Sequence, residues 1–169
     1  MRRAVKWAVI GVLFGGMTFG AKVTIEADPL GPRVRSTNAV IAAALVEAQS
    51  RSPTFRSLIG QIEKTDGIVY VERGRCGHGV PACLSLSIVS GSGYRLLRIL
   101  VDSVDNLMSL VATIGHELRH AIELLADPQV RTTTAAYYFY QREAPTNLDA
   151  FETAAAIRTG LEVEREFRR

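Results

Sequence analysis

At 169 residues the chain suits one domain, large enough to bury a core without staples. Hydrophobic residues make up 47% and charged residues 22%, a globular balance that excludes a disordered tail. The formal charge of +3 rests on Arg2, Arg3 and Lys6; without them the 20 basic residues fall to 17, equal to the 17 acidic ones, and no basic stripe with interleaved aromatics remains for nucleic acid.

Those three cations precede an apolar run from Trp7 to Ala21, the order of a secretory signal. The run has 15 residues, short of the roughly 20 that span a bilayer. Residues 1–21 therefore read as a signal peptide cleaved near Gly20 or Ala21 or, if uncleaved, as an anchor and the chain's sole membrane attachment. Residues 22–169 read as a single domain, secreted or periplasmic.

After a polar lead with Asp28-Pro29 and Gly31-Pro32, the Ala-, Leu- and Val-rich stretch from Thr37 to Gln49 predicts a helix. Ser52-Pro53 starts a second, with serine as cap and proline at the first helical position. Phe55, Leu58, Ile59 and Ile62 give it an apolar face, and Asp66-Gly67 stops it. From Ile68 the period changes. Ile68–Val71 is β-rich, Leu84, Leu86 and Ile88 alternate with Ser85 and Ser87, and Tyr94–Val101 follows a turn at Ser90–Gly93. Short connections predict an antiparallel meander of three strands. Cys76 and Cys83 flank the first connection, and in an exported protein such a pair reads as a disulfide. The rival reading, a metal site of Cys76, His78 and Cys83, lacks a fourth ligand, so His78 reads as an exposed loop residue.

Thr113-Ile114-Gly115-His116-Glu117-Leu118-Arg119-His120 then places two imidazoles four residues apart, with a carboxylate directly after the first, the H-E-x-x-H pattern of zinc hydrolases. On a helix, positions i and i+4 lie one above the other, so both rings reach one cation while Glu117 projects about 100° away, as a base rather than a ligand. Leu107, Leu110, Val111, Ile114, Leu118, Ala121, Ile122 and Leu125 form the apolar stripe of that helix, and the histidines fall opposite it. Asp127-Pro128 predicts the cap of another helix, to about Tyr140. Ala144–Asn147 breaks it, and a last helix is expected from about Leu148 to the charged end.

A catalytic zinc ion usually has three protein ligands and an open position. With Glu123 and Ala126 where a third histidine would follow, a carboxylate must serve. Glu123 shares the histidines' helix and suits a contact to a metal ligand or to substrate, or an ion pair with Arg119. Glu152 is the expected ligand because it comes from a separate element, flanked by Ala155, Ala156 and Thr159, small enough for close helix approach; Asp149 is its competitor.

On His116, Glu117, His120 and Glu152, the chain resembles the gluzincins, zinc metallopeptidases whose third ligand is a glutamate on a later helix. The resemblance spans roughly residues 36–165 and implies a small α+β zincin-like domain, with a short antiparallel sheet packed on the H-E-x-x-H helix and a later glutamate-bearing helix. Ala156 stands where many members have an aspartate, leaving the usual partner behind the ligands unidentified. The expected function is a Zn2+-dependent peptidase acting on peptide or protein, with water activated by Glu117 and a transition-state donor among Tyr137, Tyr138 and Tyr140. The competing expectations are a zinc hydrolase of a non-peptide substrate and a metal-binding interaction protein without turnover.

Overall fold

Two helices open the described part of the chain, and each begins where its cap dictates. A computed structural model describes residues 31–77, 79–102, 106–143 and 151–169; the expected leader, His78 and Asp149 lie outside them. After a short strand, β1 (Val34–Arg35), the Asn38 side chain accepts from Val40 and Ile41 N–H to start α1 (Ala39–Arg51). Ser52 accepts from Phe55 N–H to start α2 (Pro53–Ile62), as its Ser-Pro signal predicts.

The sheet contains β2 (Gly67–Arg73), β3 (Ala82–Gly91) and β4 (Tyr94–Val101) besides β1, in the order β1-β2-β4-β3. Only β3 and β4 are antiparallel, joined through Ser92 and Gly93 at φ 51° and 83°, the left-handed pair of a two-residue hairpin. β2 runs parallel to β4, with Val69 opposite Leu97, and β1 runs parallel to β2. The predicted meander is thus corrected to a mixed sheet, for a reason of burial. In β4, Leu97, Ile99 and Val101 are fully buried and Leu96 and Leu100 half-buried, so it takes an inner position, whereas serine-bearing β3 takes the edge. The connection 74–81 is long enough to pass the intervening strand.

α3 (Leu107–Ala126) lies between this sheet and the other helices, packed on β2, β3 and β4 and against α1, α2 and α5 (Ala154–Phe167). Val111, Ile114, Leu118 and Ala121 are fully buried, as the stripe predicts, and so is Leu124, which lies outside it; Leu107, at the helix start, is 42% exposed. Arg95 on β4 fixes the far end of α3. Its guanidinium donates to Leu124, Leu125, Asp127 and Val130 carbonyls and to Asp66. These include carbonyls the last helical turn leaves without partners. Asp127-Pro128 is consequently a turn and not a helix cap: the Asp127 carboxylate accepts from Gln129 N–H, and α4 (Thr133–Glu143) begins five residues after Pro128.

The last helix also starts later than expected. Thr153 is its cap, so within the described residues 151–153 are an extended lead into α5. Glu152 therefore sits on that lead and not on a helix, a correction to its expected setting. At the other end of α5, Glu166 accepts from Ser52 and Thr54 at the start of α2, which anchors the helix across the domain.

Candidate metal centre

α3 presents His116 and His120 on one face, with ring centroids 4.9 Å apart and nearly perpendicular. This face is no open surface, because α5 covers it. Two glycines permit the approach. A methyl group at Gly160 would stand 3.3 Å from His116 Cβ and 3.4 Å from the Ala112 carbonyl, and one at Gly115 would stand 3.0 Å from Val163. The small residues read from sequence at 155, 156 and 159 mark the correct helix, and the close approach also needs this glycine pair, whose signal was a glycine in the interior of each helical run.

Three donors converge there. The Glu152 carboxylate reaches to 3.2 Å from His116 Nε2, and one ligand atom from each of His116, His120 and Glu152 lies within 4.8 Å of the others. Scanned against protein families, curated proteins and solved structures, the chain matches none.

The donor set suits a zinc-like cation. Donors bound tetrahedrally at about 2.1 Å stand roughly 3.4 Å apart, a spacing that His116 and Glu152 already have and that the third donor meets by a shift of order 1 Å. Metal binding needs neutral imidazole. Burial lowers the pKa of His116 against the opposing charge of Glu152, so the ring is neutral at physiological pH. His120 Nδ1 lies 3.1 Å from Glu123 Oε2. A carboxylate only accepts, so Nδ1 carries a hydrogen, and in the neutral ring that leaves the Nε2 lone pair for a metal.

Glu123, expected to contact a ligand or to pair with Arg119, is the partner that stands behind His120. Burial raises its pKa, but hydrogen bonds from His120 and Thr153 and the charges of His120 and Arg119 outweigh that and hold it below its ordinary value. It also pairs with Arg119 at 3.3 Å, as its i+4 spacing predicts.

Glu117 is buried, with one carboxylate oxygen turned to the sheet edge. Its Oε2 accepts from Leu84 N–H on β3 at 2.7 Å, while Oε1 lies 4.0 Å from His116 Nε2. Burial pushes the carboxyl up to about 7, against the charge of His120 and the Leu84 hydrogen bond. One oxygen is thus held and the other faces the donors.

A cavity of about 500 Å3, within the usual range for ligand sites, opens over these groups. Leu84, Leu86, Phe151, Ile157 and Leu161 form its apolar walls. Cys76 and Cys83 also line it; their sulfurs lie at bonding distance, 2.20 Å, with Cα atoms 5.7 Å apart, in accord with the expected pairing. Of the three tyrosines, only Tyr140 lines the cavity, and its buried hydroxyl donates to the His120 carbonyl at 2.9 Å. Tyr137 accepts from Gln141 and packs on Phe151, and Tyr138 is exposed. None of the three directs a free donor at the metal donors.

Proposed function

We propose that the protein is an exported zinc-dependent peptidase of gluzincin type. The reading is carried by one observation: His116, His120 and Glu152 converge while Glu117, adjacent in sequence, is held apart from them by the Leu84 N–H. A site built only to retain a metal has no need of a buried, raised-pKa carboxylate beside it.

His116, His120 and Glu152 would hold the ion, which when bound supplies Lewis acidity and a water whose pKa is lowered toward about 7. The chain's own residues do the rest. The Leu84 N–H fixes Glu117 so that its second oxygen takes a proton from the attacking water and later returns it to the leaving amine nitrogen. A pKa of about 7 suits both halves of that transfer near neutral pH, and the field of a cation favours the ionised form that accepts first. Two features support a peptide substrate over a small molecule. β3 is an edge strand running beside the cavity, and Leu84 and Leu86 place that strand in its wall. The adjoining Cys76–Cys83 pair supports export to an oxidising compartment.

The test is a peptide-library digest of the full chain with and without chelator, beside zinc analysis of Glu117→Gln. We expect chelator-sensitive cleavage by the parent, and a variant that keeps about one zinc per chain while losing roughly 10²–10⁴-fold in hydrolysis. A parent that binds zinc but cleaves nothing would favour the interaction-protein reading; a variant without zinc would make Glu117 a ligand.

A further inference from the structure

The lead that carries Glu152 is short and extended, yet both of its neighbours are tied to one residue of α3. On one side Phe151 stacks on Tyr140, with centroids 5.6 Å apart and planes 17° from parallel, and the Tyr140 hydroxyl bonds the His120 carbonyl. On the other, the Thr153 hydroxyl donates to Glu123 Oε1 at 2.9 Å, while Glu123 Oε2 holds His120 Nδ1. The same Thr153 oxygen accepts from Ala156 N–H as the cap of α5. A single hydroxyl therefore joins the start of α5, the lead bearing Glu152 and the carboxylate that orients His120.

We infer that Thr153 and Glu123 are positioning residues for the metal centre: their hydrogen bond sets Glu152 and His120 in register. The inference rests on the metal-binding part of the proposed function. It has a physical necessity behind it, because Glu152 is 47% exposed in its side chain and lies on no regular element. A glutamate so placed has rotamer freedom to lose, and a ligand whose backbone is fixed on both sides loses less of it on binding. The Arg119 guanidinium, at 3.3 Å from the same Glu123 oxygen, keeps that carboxylate charged and in place.

Competitive zinc titration of the zinc-free full chain tests it. Thr153→Val should weaken zinc about tenfold, and Glu123→Ala between about 10- and 100-fold, the range typical of groups that orient metal ligands. Because the two act along one path, the double variant should bind no more weakly than Glu123→Ala alone. Thr153→Ser, which restores the hydroxyl, should return affinity to within about twofold of the parent. Thr153→Asp keeps an acceptor for the Ala156 N–H but sets a carboxylate against Glu123, so it should retain the helix and still lose affinity. Unchanged affinity in Thr153→Val, or losses that multiply in the double variant, would overturn the inference. Should the parent bind no zinc, the metal reading fails by itself. The coupling is then decided by imidazole nitrogen shifts of His120 in zinc-free protein, which should report Nδ1–H in the parent and change in Thr153→Val and Glu123→Ala alike; no change would overturn it.

Discussion

Two polar clusters pack against α3, and they are built to opposite rules. At its carboxyl end, all five guanidinium donors of Arg95 are spent on Asp66 and four carbonyls, and the arginine is 2% exposed. At its middle, His116, His120 and Glu152 converge beside a cavity, and Glu117 keeps one oxygen, 4.0 Å from His116 Nε2, that accepts no hydrogen bond from the described residues. A saturated cluster is a fastening, since nothing further can bind without breaking it. An unsaturated one held open by outer partners is a site. The contrast separates scaffold from chemistry within a single helix.

The strongest way to break the comparison is Arg95→Met, which keeps the bulk but strands Asp66 and the carbonyls. It should cost about 3–5 kcal/mol in urea unfolding. The fraction still folded should bind zinc as the parent does; a specific loss of zinc at unchanged stability would mean the two clusters are not separable.

Gly160→Ala addresses the opposite side. Alanine favours the helix by about 1 kcal/mol, and crowding against His116 and Ala112 opposes that by about as much, so the unfolding midpoint should hardly move. About 1 kcal/mol of crowding passed to the site would appear as roughly fivefold weaker zinc. A large fall in stability with zinc affinity intact would assign the glycine to the scaffold.

The smallest effect is in acid. Burial raises the Asp66 carboxyl, but hydrogen bonding and charge from Arg95, with the charge of Arg131 added, hold it below its ordinary 3.8. A depressed folded-state pKa gives stability that is present above the unfolded value, about 3.9, and lost as pH falls through the folded one. Urea midpoints of the parent should therefore exceed those of Asp66→Asn near neutrality and approach them below about pH 4. A gap that stays constant to pH 2 would show that the charge of Asp66 contributes nothing.

Much of this was legible in the sequence, and unevenly so. The histidine helix and its apolar stripe follow from a period of 3.6 sustained over α3, a 20-residue helix. Glu152 emerged from ligand arithmetic, but its setting did not, because the apolar and alanine-rich stretch from Leu148 masked Thr153 as a cap. Pairing of β2 with β4 joins residues 28 apart, Gly67 with Arg95, and no local pattern encodes a partner at that distance. The contrast between apolar β4 and serine-bearing β3 was the available clue to which strand lies inside. Nothing in the sequence sets Arg95 apart within its strand; only the returning end of α3 makes it a fastening.

The strand order also has a consequence for the time course of folding. The β3–β4 hairpin closes through two residues, Ser92 and Gly93, so it can form within microseconds. Pairing β2 alongside β4 must enclose that hairpin first, and docking α5 brings residue 153 to residue 123. Because the entropy of closing a loop must be met before distant contacts reward it, the local hairpin leads and the long-range pieces follow. The cavity draws on Leu84, on the centre of α3 and on the lead into α5, three segments far apart along the chain. The convergence of His116, His120 and Glu152 consequently arrives with the last contacts to form, and a partly folded chain has a strand edge and a helix but no assembled donor set.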